Sequence, residues 1–404
     1  MKKLTFNHTL GACFTGYIVQ AIVNLFAPLL FVTFGNSYGI PLSGITLLIT
    51  LNFAIQLTVD LMGTFIVDKM GYKATAIAAN FTAAAGLILL SFLPDLIDPY
   101  AGILLSVIVY SAGGGLFEIV MSPIVEACPT KNKDRVMALL HSSYCWGSVI
   151  VIGLSTVWFE FVGIDKWQLL SLMWAILPVL NGVFFFFVPV VPLIKEGERG
   201  LKLGELLKNG YFWLFAAMML AAGSAEQAVS QWASSFAESG LGVSKTTGDL
   251  VGPLSLSVLM GVARVLYARF GGSDKLMGVL LGCAALTVGA YLMAALSGNA
   301  VAALVGVALT GFGTGIMWPG TFSLASGAVK GGGTAMFALL AFAGDAGCML
   351  GPTLVGRVAD AAGGDLSSGI AAGTVFPAMM AVLVLILMIL RGRKRRKNDL
   401  TEIG

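Results

Sequence analysis

Residues 62–73 read MGTFIVDKMGYK, and four of them decide how the rest of the chain is read. Asp68, Lys69, Gly71 and Lys73 stand between two apolar runs, one ending near residue 67 and the next starting near residue 74. Each run reaches the ~20 residues that carry an α-helix across the hydrocarbon layer. So short a turn, holding a glycine and three charges, joins two crossing helices on one membrane face. Its charges stay at the surface, where they can bridge other parts of the chain when that face is closed.

The whole chain supports a membrane reading. Of 404 residues, 57% are hydrophobic and only 11% charged, with a mean hydropathy of +0.89; a soluble domain carries about 25% charged residues. Apolar runs fall near 9–33, 43–67, 74–94, 100–126, 137–159, 168–191, 210–236, 249–270, 275–296, 300–327, 333–357 and 369–390. The opening MKKLTFNHTL leads into a run too long for a cleaved signal, so it is read as a first membrane helix. Twelve crossings return both termini to one side. The five cysteines show no CxxC spacing and there are two histidines, so neither a disulfide framework nor a metal site is expected, and no cofactor.

Lysine and arginine orient the spans. Lys2, Lys3, Lys69, Lys73, the segments PTKNKDR (129–135) and LIKEGERGLKLGELLKNG (193–210), Arg269, Lys275, Lys330 and the tail RGRKRRK (391–397) share one face. The other face carries Lys166 and Lys245, with Arg357 at its rim. The positive-inside bias places both termini in the cytoplasm, and the protein in the cell's inner (plasma) membrane. The basic tail anchors this topology, with anionic lipid as its other use.

The longest polar break divides the chain into an N-terminal six-helix bundle (1–192), a cytoplasmic linker (193–209), a C-terminal six-helix bundle (210–390) and a basic tail (391–404). The halves echo each other: GGGLFEIVMSPIVE (113–126) in span 4 aligns with GFGTGIMWPGTFSLAS (311–326) in span 10, setting Pro123 opposite Pro319. A duplicated bundle places its binding site near the midplane between the repeats. The expected fold is therefore all-α, with twelve transmembrane helices in two pseudo-symmetric bundles.

The spacing of Asp68, Lys69, Gly71 and Lys73 resembles the signature that follows the second helix in the major facilitator superfamily. Within that superfamily the chain is similar to the fucose-permease branch, whose members carry a sugar with a proton. That likeness rests on the Gly-rich lead with Glu118 and a proline five residues later, on WPGTFSL (318–324), and on LLHSSYCWGSVI (139–150) opening span 5. The resemblance implies the major facilitator fold and proton-coupled sugar transport. The branch's acidic residue in span 1 has no counterpart in GYIVQAIVNLFAPLLF (16–31).

Buried polar residues supply the site candidates. A carboxylate at mid-bilayer costs at least about 2.5–3.5 kcal/mol, so Glu118 must face a wet cavity, find a partner or hold a proton. Glu118, Glu226 and Asp345 are the candidates for proton coupling. Glu226 opens a stripe in span 7 in which Gln227, Gln231 and Trp232 follow at helical spacing. Amides beside an indole suit a polyhydroxylated ligand. Gln20, Asn24, Gln56, His141 and Tyr144 are further polar candidates for substrate binding, with Trp146 and Trp318 as stacking surfaces. Asp60 is grouped with Asp68, Lys69, Gly71 and Lys73 in a cytoplasmic gate. Arg264 is expected either to pair with Asp345 within the second half or to serve as its switchable partner.

Catalysis finds no motif. GLGVSKTT (240–247) has Ser244 where a phosphate loop needs glycine, and no HExxH or serine elbow occurs. The expected protein is a monomeric secondary transporter, not an enzyme, whose partners are a small solute such as a sugar, protons and membrane lipid, with no nucleic acid. The alternatives are an exporter of an amphipathic compound or drug, and a ligand sensor built on the same fold.

Overall fold

The structure is a computed structural model that describes residues 4–130, 133–191, 203–270, 275–329 and 333–402. Most of the linker and Lys330 lie outside the described residues, as do the side chains of Thr64 and Asp68. Among the described residues the regular structure is entirely helical. Twelve helices are long and apolar enough to cross a membrane: α1 (Phe6–Tyr38), α2 (Leu42–Gly63), α3 (Lys69–Leu96), α4 (Pro99–Ala127), α5 (Leu139–Phe161), α6 (Ile164–Phe185), α7 (Gly210–Gly240), α8 (Lys245–Tyr267), α9 (Leu276–Leu296), α10 (Ala300–Ala328), α11 (Ala338–Ala361) and α12 (Leu366–Gly392). They match the twelve expected runs in order. Helix is the required solution here, because it pairs every backbone N–H and C=O within the span where lipid offers no partner.

Helix ends follow local chemistry. Asn299 starts α10 by accepting from the backbone N–H of Val301 at 2.9 Å and Ala302 at 3.1 Å. Asp365, outside the spans, does the same for α12, accepting from Ser367 and Ser368, both at 3.0 Å. The Ser368 hydroxyl also donates to it and, ahead of the backbone donors, holds this carboxyl below the ordinary aspartate range. Between α2 and α3 the helical run from Leu42 to Leu96 breaks at Gly71, where φ is 75° and ψ 157°. A side chain rarely adopts that conformation, so the glycine of the turn has a backbone reason to be there.

Inside each half, glycines let backbones touch, as small residues do in membrane bundles. A Cβ on Gly347 of α11 would lie 2.2 Å from the Leu220 carbonyl oxygen of α7. Between the halves, α2 and α11 run antiparallel. The Thr50 and Thr353 hydroxyls meet at 2.7 Å, and Gly356 sits against Thr46 and the Trp232 ring. At the same end, α8 leans on α5 through a Thr246 to Glu160 hydrogen bond and through Lys245, 5.4 Å above the Phe159 ring. These contacts close the two halves against each other at the face opposite the termini.

Gly356→Val is expected to pry that face open. The added Cβ would stand 2.2 Å from the Thr46 hydroxyl oxygen of the opposite half, a contact made only when the halves meet, and 2.6 Å from the Trp232 ring of its own half. Overpacking of this kind costs about 1–3 kcal/mol, a shift of roughly 5- to 150-fold in population. Distances between spin labels on the opposite-face ends of α5 and α8 report it, and a distribution identical to the parent's would refute the assignment.

Candidate functional site

The polar side chains at the interface of the halves form a connected network. Pro28 lies in a 3-10 segment of α1, Ala27–Leu30. Having no N–H, it leaves the carbonyl of Asn24, four residues back, without its helical donor. Gln231 of α7 takes that acceptor, donating Nε2 to the Asn24 carbonyl at 3.1 Å, and a contact between the halves replaces a helical hydrogen bond. The Asn24 side-chain oxygen accepts from Gln56 at 2.9 Å and from Asn52 at 3.2 Å, and Ser111 donates to Asn52 at 2.6 Å. Gln20 donates Nε2 both to Gln56, at 2.7 Å, and to Glu118, at 2.8 Å. From the other half, Gln231 also donates to Gln227 at 3.1 Å, and Gln227 donates to Glu226 at 3.2 Å. Donation converges on the Asn24 side-chain oxygen from both sides and runs outward from Gln20, so the chain fixes side-chain orientation from Ser111 to Glu118.

Glu118 ends the network at a second cluster. One carboxylate oxygen each from Asp60, Glu118 and Asp345 lies within 4.8 Å of the others, and all three residues keep part of their surface exposed. At that spacing, two ionised carboxylates repel by roughly 3–4 kcal/mol at an effective dielectric of about 20. Both oxygens of Asp60 are buried without a hydrogen-bond partner. Asp60, grouped with the gate in the sequence, thus stands beside the two coupling candidates. Its place follows from the α2–α11 register, in which Thr50 meets Thr353 and Asp60 meets Asp345.

The expected pairing of Arg264 with Asp345 is not what the structure holds. Among the described residues no ion pair joins them. Arg264 donates Nε to the Gly315 carbonyl at 3.1 Å and a terminal nitrogen to Cys145 Sγ, also at 3.1 Å.

The remaining candidates separate. Tyr144 is partly buried. His141 is exposed, with its ring edge-on to Tyr17 at 5.6 Å. Trp318 packs on the backbone of Gly344, next to Asp345, and edge-on to Phe322. Trp232 has no exposed surface, donates its indole N–H to the Pro352 carbonyl at 2.9 Å and packs on Phe31. In this conformation it holds the halves together and offers no stacking face. Trp146 is 47% exposed and lies beside Gly261 of α8. In the turn, Lys73 donates to the carbonyls of Phe186 and Val188, at 3.0 and 3.1 Å, tying α3 to the end of α6 within the same half. Lys69 is exposed.

Two features escaped the sequence reading. Asn52 and Ser111 complete the amide chain; Asn52 sits one turn before Gln56, a spacing that marks a shared helix face. The other is an ion cluster at the α7–α8 hairpin, between the π-helical segments Phe236–Gly240 and Leu250–Leu254. Lys245 bonds Asp249 at 2.8 Å and Ser234 at 2.9 Å and lies 3.9 Å from Glu238. Its signal was the i, i+4 spacing of Lys245 and Asp249 at the rim of a span.

A small cleft lies beside Asn24, Asn52, Tyr110 and Gln231.

The sequence profile of the Major Facilitator Superfamily matches residues 10–352. The membrane protein MosC of Rhizobium meliloti is 24% identical over 262 residues, 64% of this chain; the chain spans 62% of that relative's length. A crystal structure of the E. coli fucose:proton symporter FucP superposes with a TM-score of 0.65 at 16% identity, covering 94% of this chain and 98% of that one. FucP in the outward conformation gives 0.64 at 14% identity with the same coverage. At these identities the likeness concerns the fold.

Proposed function

Because the chain belongs to the Major Facilitator Superfamily, we propose that it is a secondary carrier moving a small polar solute, a sugar or a close chemical relative, by alternating access coupled to protons. It works in the inner (plasma) membrane as a monomer with both termini cytoplasmic, its bundles spanning 1–192 and 210–390. The observation that carries this reading is the amide chain between the halves, running from Ser111 through Asn52, Asn24, Gln56 and Gln20 to Glu118, with Gln231, Gln227 and Glu226 facing it. A solute with several hydroxyls can exchange hydrogen bonds with such a chain one for one, so desolvation is offset as it binds. An amphipathic drug would leave those amides unpaired. The carboxylate at the end of the chain connects the solute site to a group that can carry a proton.

The test is a ligand screen by thermal shift on purified protein. A ligand present at about 100 times its Kd adds about 2.7 kcal/mol of stability. Sugars and polyols are expected to raise the melting temperature, whereas stabilisation by hydrophobic drugs alone would favour the exporter. Glu226→Gln is expected to lower the affinity about 10- to 100-fold, since a hydrogen bond to a charged group contributes about 1.5–3 kcal/mol. An unaltered affinity would remove Glu226 from the site.

A further inference from the structure

Asp60 of α2 and Glu118 of α4 belong to the first six spans; Asp345 of α11 belongs to the last six. Their carboxylate oxygens, within 4.8 Å of one another, form a cluster that neither half possesses alone. Two side chains around it carry buried oxygens without a partner. Asp60 has no donor on either buried oxygen, and Gln20, 2% exposed, aims its Nε2 at Glu118 while its own carbonyl oxygen lacks a partner. Among the described residues, no lysine or arginine is brought onto these carboxylates; Lys245 pairs instead with Asp249 and Glu238. The other titratable groups around it are Tyr17 of α1, which bonds Ser122 at 3.2 Å, His141 of α5 against Tyr17, Glu226 of α7, Arg264 of α8 and Cys348 of α11. Arg264 is engaged by Gly315 and Cys145. A carboxylic O–H is therefore the donor at hand for the Asp60 oxygens.

We propose that Asp60, Glu118 and Asp345 form one proton site shared between the two halves, a latch that is closed with at least two protons bound and opens when they leave. Each proton comes from water to a carboxylate oxygen and returns to water. While held, it makes an O–H···O bond between like groups, as paired carboxyls do. Once it is lost, the charges on α2 and α4 repel the charge on α11 and the seam parts. The sign is fixed by the geometry: the arrangement seen is the protonated one, favoured at low pH and lost as pH rises. This deepens the carrier reading and rests on alternating access for its purpose, whereas the latch can be tested without transport.

Two measurements test it on purified protein in lipid nanodiscs, in buffer free of sodium and divalent ions. Infrared spectra at pH 7 should contain a protonated-carboxyl C=O band that Asp60→Asn, Asp345→Asn and Glu118→Gln each diminish. Spin labels at Met62 and Ala338, with the native cysteines replaced by serine, should move apart as pH is raised from 5 to 9, and Asp345→Asn should abolish that response. Absence of the band, or a wild-type distance independent of pH, overturns the latch. So does its replacement by a cation: loss of the band together with a raised melting temperature on adding 1 mM sodium, magnesium or calcium. If a variant fails to fold, the wild-type titration and the cation additions still decide. A pH-dependent distance in a protein that accumulates no solute under a proton gradient would uphold the latch and defeat the transport reading.

Discussion

Glu118→Gln is expected to abolish accumulation driven by a pH gradient while exchange of solute across the membrane stays measurable. Glutamine has nearly the shape of the neutral acid, and its side-chain oxygen can still accept from Gln20, which reaches Glu118 at 2.8 Å. The amide chain then keeps its order, but the group at its end no longer binds or releases a proton. One proton crossing a gradient of two pH units supplies about 2.7 kcal/mol, worth a roughly 100-fold concentration ratio. The whole of that ratio should vanish. Uptake and exchange by proteoliposomes, with and without an imposed gradient, measure it; accumulation that survives the substitution would take the coupling role from Glu118.

The second large effect belongs to the α7–α8 hairpin. Asp249 has no exposed surface and is held by Lys245 at 2.8 Å and by the Ser234 hydroxyl at 2.5 Å. Lys245→Met keeps the apolar stem, removes the charge and strands the carboxylate. Removing one partner of a buried pair costs about 3–5 kcal/mol, because the remaining charge stays desolvated. The variant should melt well below the parent, and adding Asp249→Leu should recover much of the loss, since replacing both members with apolar groups removes the stranded charge. A double variant that melts no higher than Lys245→Met would show that the pair's electrostatics are not the cause.

The twelve spans were legible because lipid imposes one long-range rule, an apolar run of sufficient length, that a sequence displays directly. The site was legible in part, for a related reason. Polar residues inside such runs are costly, so Gln20, Asn24, Gln56, Glu118, Gln227 and Gln231 drew notice, and the structure joins them. Partnerships were harder to read. Asp60 meets Asp345 because of the register between two helices almost 300 residues apart in sequence, which no local spacing encodes. Arg264 was matched to Asp345 on charge alone, whereas in space a carbonyl and a thiol lie nearer. Trp232 looked like a sugar platform from its neighbours, yet the closeness of α11 buries it completely.

Pro28 gives the first helix a debt that changes creditor with conformation. Its missing N–H leaves the Asn24 carbonyl dependent on Gln231 of the opposite half. When the halves part, that oxygen must find another donor, and a solute hydroxyl entering the gap is well suited to be one. Binding of a solute hydroxyl and engagement of Gln231 would then be alternative ways of satisfying a single atom. On the proposed transport reading, an empty carrier would reclose without leaving a bare carbonyl, and a loaded one would regain Gln231 at that position only once its cargo lets go.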